Sequence, residues 1–167
     1  MRKMTESNLW AAFAGESQAY MKYTIFAEKA EEEGYPEVAR LFRAIAYAEQ
    51  VHATNHLREL GGIGDTAANL KTAIGGETYE VEEMYPAFQA VAKLQGEKGA
   101  TRSTFYALEA EKIHAEMYHD AEEMVLVGKD IEGRPIYICP VCGYTVIGEP
   151  PAQCPVCAAP KEKFRQF

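Results

Sequence analysis

Glu49-Gln50-Val51-His52 and Glu111-Lys112-Ile113-His114 share the pattern Glu-x-x-His. On a helix, positions i and i+3 lie about 60° apart around the axis and one turn along it. A carboxylate and an imidazole can then approach one metal, or two adjacent metals, from a single helix. Farther along, Cys139-Pro140-Val141-Cys142 and Cys154-Pro155-Val156-Cys157 form two Cys-x-x-Cys pairs separated by eleven residues, and they account for all four cysteines of the chain. Four thiolates at this spacing make a metal site, not a disulfide framework, and a tetrahedral sulfur site holds zinc or a single iron. Zinc there would be purely structural, whereas iron would be a one-electron relay.

Helical periodicity places the acids where apolar residues belong. The first segment, Thr5 to Glu33, carries the stripe Leu9, Phe13, Tyr20, Ala27, and Glu16 fills the gap between Phe13 and Tyr20. The second, Pro36 to Leu60, runs Val38, Phe42, Ile45, then Glu49 and His52. Gly61-Gly62 end it, and a loop through Gly75-Gly76 with at most one short helical turn is expected to follow. The third, Glu77 to Lys98, begins with Glu80 and Glu83 ahead of Ala87, Val91 and Leu94, and Pro86 should kink it or mark an irregularity. The fourth, Thr101 to Val127, reads Thr104, Leu108, then Glu111 and His114, then Tyr118 and Val125. Four long helices on short connections predict a bundle.

Each helix therefore turns ionisable groups toward its dry face. A buried carboxylate without a partner costs several kcal/mol, and a cluster of five repels itself. Lys and Arg are missing from the stripe positions, so a bound cation must balance the charge. Two Glu-x-x-His motifs with single carboxylates from two other helices is the ligand set of di-iron and di-manganese bundles. Glu16 and Glu80 supply the single carboxylates, and Glu83 is additional. The acids recur in order, Glu16 falling 33 residues before Glu49 and Glu80 falling 31 before Glu111. Glu31-Glu32-Glu33, Glu82, Glu97, Glu116 and Glu122-Glu123 read as solvated surface, His119 as exposed, and His56 as a polar neighbour or capping group.

The whole chain has 167 residues, 47% of them apolar and 25% charged, the balance of a folded protein. A formal charge of −8 argues against nucleic acid or an anionic membrane as the main partner. No apolar run reaches the roughly 18 residues of a membrane span, and the charged start is unlike a signal peptide, so a cytoplasmic location is expected. Residues 128–135 read as a linker, and the 32 residues after it are too few for a core without a metal staple.

Ala14-Gly15-Glu16-Ser17-Gln18, Glu49-Gln50-Val51-His52, Glu80 through Pro86, Glu111-Lys112-Ile113-His114 and the paired cysteine knuckles, in that order, resemble the rubrerythrin family along the whole chain. The resemblance implies a mainly α fold, with a ferritin-like di-iron four-helix bundle over 1–132 and a rubredoxin-like one-iron domain over 133–167. It implies a peroxidase that reduces hydrogen peroxide to water, with electrons from rubredoxin or an NAD(P)H-dependent reductase. Carried over, Glu49 and Glu111 bridge the irons, Glu16, Glu80 and His114 are terminal ligands, and Glu83 and His52 alternate at one iron. Cys139, Cys142, Cys154 and Cys157 hold the third iron, and zinc could replace it in isolated protein. Ala158 departs from the glycine usual after the second knuckle of rubredoxins. A homodimer is expected, and the 61–76 loop is long enough to permit helix exchange between protomers. The competing reading is an iron-oxidising storage protein with a structural zinc tail. A cage-sized assembly would favour storage and a dimer the enzyme.

Overall fold

The first 64 residues fold as two helices, α1 (Lys3–Glu32) and α2 (Pro36–Glu59), in the computed structural model of the chain, which describes residues 1–167. Gly34, at φ +84°, makes the reversal between them, and Pro36 opens α2 from a first-turn position where its missing N–H costs nothing. The seam is built of alanine. Ala27 and Ala30 of α1 are buried, as are Ala39, Ala46 and Ala53 of α2, spaced seven residues apart. That spacing returns to one side of a helix, and the small side chains allow close approach. Tyr23, Phe26 and Phe42 stack beside the seam with ring centroids 5.7–6.4 Å apart.

Of the larger apolar residues expected to line the buried stripe, Leu9, Phe13, Tyr20 and Phe42 are half-buried, whereas Val38 and Ile45 stand at the surface with Ile25, Phe26 and Leu41. Two helices can bury only the strip along their mutual contact. A stripe wider than that stays outside.

Asp65–Phe167 forms a second compact unit, described on its own. Asp65 caps α3 (Thr66–Tyr79), its Oδ1 accepting from the Ala68 amide at 2.9 Å. The helix runs straight through Gly75-Gly76, where a loop was expected. Each glycine costs about 1 kcal/mol against alanine in a helix. The Asp65 cap and packing of α3 along α5 (Lys98–Leu126) offset that cost. A π turn over Glu80–Met84 then leads into α4 (Tyr85–Leu94). The Tyr85 amide donates five residues back to the Glu80 carbonyl. Widening the helix here removes the clash that Pro86 would make with the carbonyl four residues before it. This is the irregularity that Pro86 foretold. No helix of the chain is long and apolar enough to cross a membrane.

The tail adds a small antiparallel sheet, β1 (Ile136–Ile138), β2 (Thr145–Ile147) and β3 (Arg165–Gln166), in the order β2-β1-β3. Ile136 pairs with Ile147, Ile138 with Thr145, and Tyr137 with Gln166. Its core is Cys139, Cys142, Cys154 and Ala159, with Tyr106 of α5, Tyr144, Val156 and Phe164 packed around them. The hydrophobic centre of the tail is the sulfur cage itself. Architecturally the chain is mainly α, with ferritin-like helices and a rubredoxin-like knuckle domain.

Candidate metal centres

In the first unit, α1 presents Glu16 and α2 presents Glu49 and His52, and one ligand atom from each lies within 4.8 Å of the others. His52 Nδ1 is 2.9 Å from Glu49 Oε2 and 3.8 Å from Glu16 Oε1. The Glu49 side chain is only 16% exposed, while that of His52 is 54% exposed. The i, i+3 spacing brings the imidazole back over its own carboxylate, as helix geometry requires.

The second unit holds a matching cluster of Glu77 from α3 with Glu111 and His114 from α5, again within 4.8 Å. His114 Nδ1 lies 2.6 Å from Glu111 Oε2, and both side chains are largely shielded. Burial pushes the Glu77 carboxyl up to about 7, helped by its hydrogen bond to Glu111 and by the charges of Glu111 and Glu80. Glu80 is raised by burial and by Glu111, with His114 pulling it back down. The Tyr85 hydroxyl is raised by burial and then by Glu80, Glu111 and Glu77, so it faces the same group of acids. These carboxylates crowd one another in a shielded place with no Lys or Arg among them.

Glu77 was absent from the ligands expected from the sequence. Of those expected, Glu80 is half-buried beside Glu111 and His114 but is not one of the three clustered ligands, and Glu83 is exposed and belongs to neither cluster. The reason is the start of the helix. Taking Gly75-Gly76 as a terminator leaves Glu77 in the first turn of a new helix. In the structure Glu77 lies deep in a continuous one, a single turn before Glu80. The usable signal was the interval of 34 residues from Glu77 to Glu111, closer to the 33 from Glu16 to Glu49 than the 31 from Glu80. His56 joins no cluster, and His119 is an exposed partner of Glu123 at 3.8 Å.

Both clusters fit a first-row metal. At bonds of about 2.0–2.2 Å, two ligands on opposite sides of one ion are about 4.4 Å apart. The observed separations need only small side-chain movement to close on an ion. Oxygen donors with one imidazole in each cluster suit iron or manganese.

The cysteines fit a different metal chemistry. All four are free, and their sulfurs lie within 4.8 Å of one another. Sγ of Cys139 and Cys157 are 3.5 Å apart, and those of Cys142 and Cys154 are 3.4 Å apart. A disulfide is about 2.05 Å, whereas tetrahedral thiolates at about 2.3 Å from an ion stand about 3.8 Å from each other. The two knuckles repeat one another: the Gly143 amide donates to the Cys139 carbonyl and the Ala158 amide to the Cys154 carbonyl, both at 2.9 Å. Burial opposes the Cys154 thiolate, but the amides of Cys157 and Val156 and the neighbouring sulfurs of Cys142 and Cys157 lower its pKa on balance. At Cys142 burial wins and the thiol is held up, although the Tyr144 amide favours the thiolate. A cage of four sulfurs, three of them on buried cysteines, with amides aimed at them is built for a cation.

After each second cysteine the backbone turns left-handed, at φ +81° for Gly143 and φ +61° for Ala158. Alanine is strained there by about 1–2 kcal/mol. Ala158→Gly is therefore expected to stabilise the tail by about 0.5–1 kcal/mol, after the greater chain entropy of glycine is discounted. Slower metal loss to a chelator would show it, and faster loss would contradict it.

The family pattern described as Rubrerythrin matches residues 7–122, and that of the rubrerythrin rubredoxin-like domain matches residues 137–165. The chain is 44% identical to Rubrerythrin-2 of Clostridium acetobutylicum, over 98% of this chain and 97% of that protein. It is 38% identical to nigerythrin of Nitratidesulfovibrio vulgaris, over 98% of this chain and 86% of that one. A solved structure of nigerythrin in its fully reduced, all-ferrous state overlays 98% of this chain on 86% of its own, with a TM-score of 0.58 at 35% identity. Family pattern, relatives of nearly equal length and two kinds of ligand cluster agree: the chain belongs to the rubrerythrin family.

Proposed function

We propose that this chain is a peroxidase that reduces hydrogen peroxide to two waters, using two electrons and two protons. The family is one of di-iron oxidoreductases, and its Glu/His and four-cysteine sites fit iron. The observation that carries the reading is the pairing, in one chain, of two carboxylate–histidine clusters with a reduced four-thiolate cage. When bound, two ferrous ions supply the two electrons that cleavage of the peroxide bond takes, and a thiolate-bound iron restores them singly. A storage protein has no use for an attached electron carrier.

The residues have distinct tasks. Glu16, Glu49 and His52 hold metal from α1 and α2, and Glu77, Glu80, Glu111 and His114 hold it from α3, the π turn and α5. Glu49 and Glu111 would be the carboxylates shared between the metals, each having an oxygen within 2.9 Å of Nδ1 of its own histidine. Tyr85 keeps its proton beside the carboxylates at neutral pH, because burial and three acidic neighbours oppose its ionisation. Cys139, Cys142, Cys154 and Cys157 receive electrons from rubredoxin or an NAD(P)H-dependent reductase in the cytoplasm, where free thiols persist. The chain works as a homodimer, with helix exchange the proposed arrangement. The apolar residues Ile25, Phe26, Val38, Leu41 and Ile45 left exposed on α1 and α2 support it.

Protein purified without oxygen should contain about three irons per chain, from the two ligand sets, and turn red on oxidation as ferric thiolate absorbs. It should consume NAD(P)H in the presence of a reductase and peroxide. Zinc in the cysteine site, no colour and a cage-sized assembly would instead favour iron storage.

Glu77→Ala should lose bundle iron, whereas Glu83→Ala should keep it and at most alter turnover. Metal analysis of the two variants decides between them. Iron lost from the Glu83 variant and retained in the Glu77 variant would reverse the assignment.

A further inference from the structure

Thr145 is a polar side chain buried to 5% exposure, and its hydroxyl sits 2.9 Å from Nε2 of His114. The hydroxyl has a single proton, and it donates that proton to the Gly143 carbonyl at 2.9 Å. Toward His114 it can then only accept. His114 must therefore carry its proton on Nε2, which leaves Nδ1 with the lone pair. Nδ1 is the atom facing Glu111 Oε2 at 2.6 Å.

We infer that Thr145 is a positioning residue that fixes the tautomer and ring orientation of His114, so that Nδ1 is presented to a metal shared with Glu111. The inference rests on the ligand role proposed for His114 and adds how the rubredoxin-like tail prepares that ligand.

The arrangement is rigid from both sides. Thr145 lies in β2, paired to Ile138 of β1, which directly precedes Cys139. Gly143, which accepts its proton, directly follows Cys142 in the left-handed turn of the first knuckle. A Cβ placed on Gly143 would stand 3.5 Å from the Ala110 Cβ of α5, one residue before Glu111. The knuckle thus rests on the helix at the point where the hydroxyl meets the imidazole. Filling the cysteine cage orders the knuckle, and through Gly143 and Thr145 it orders His114. Outer partners of metal-bound histidines commonly change metal affinity by about 10- to 100-fold.

Zinc is the probe, since it is diamagnetic and suits both sites. In zinc-loaded full-length protein, long-range proton–nitrogen spectra should show His114 with a protonated Nε2 and a metal-bound Nδ1. Thr145→Val keeps the shape and removes the hydroxyl. It should weaken zinc binding at the bundle ligands by about tenfold or more while the cysteine site keeps its zinc. Thr145→Ser should restore both affinity and spectrum. A protonated Nδ1 in the wild type, a valine effect within about twofold, or failure of serine to restore binding would each overturn the inference. Parallel loss of zinc from the cysteines would overturn it too, by showing that Thr145 only holds the knuckle together. If wild-type protein took zinc at the cysteines alone, the ligand role of His114 would fall and the inference with it. Bundle binding with the opposite tautomer would overturn only the inference.

Discussion

Glu111→Ala is expected to lose bundle iron and to slow peroxide reduction by more than the roughly hundredfold that loss of a merely supporting partner costs. Glu111 contacts His114 directly, its hydrogen bond and charge help raise Glu77, and its charge helps raise Glu80. Its removal therefore takes a ligand from the centre of the cluster. The iron of the cysteine site should remain, since none of its ligands is touched. The metal-free variant offers a second measurement. Removing one of several crowded carboxylates relieves like-charge repulsion, so the metal-free variant should melt no lower than the metal-free wild type. A large fall in melting temperature would mean that Glu111 serves the packing of α5 more than metal binding.

Exchange of iron for zinc in the cysteine cage is expected to bring NAD(P)H-driven turnover close to background. Zinc keeps the tetrahedral thiolate geometry and the folding energy of the tail but has no second oxidation state to use. The contact from Thr145 to His114 should survive the exchange, so any loss reports on electron delivery alone. Chemically reduced bundle iron should still react with one equivalent of hydrogen peroxide at the unexchanged rate. Stopped-flow measurement of that single reaction beside steady-state assay separates the two functions. Full turnover with zinc in the cage would remove the relay role of Cys139, Cys142, Cys154 and Cys157 and leave the tail a structural module.

The sulfur cage was legible because its information is local. Two Cys-x-x-Cys knuckles fold around a metal in the same way wherever they stand, and Gly143 already supplies the left-handed turn that one of them needs. The Glu-x-x-His pairs were legible for a similar reason: the 3.6-residue period alone brings Glu49 to His52 and Glu111 to His114. Even Pro86 announced its π turn, since a missing N–H and a bulky ring act within a few residues.

Glu77 was hidden because the helix around it persists against local preference. Gly75-Gly76 favour a break, and only the Asp65 cap and the contact of α3 with α5 hold the helix together. The alanine seam of α1 and α2 was hidden too, for burial on a two-helix contact selects the closest-approach strip over the most apolar side chains. Thr145 gave no signal at all. It lies 31 residues from His114, and nothing in a threonine on a short strand tells which imidazole will reach it. Chain chemistry and helical period chose the candidate ligands; packing between distant segments chose which acid completes the second cluster and which nitrogen of His114 faces Glu111.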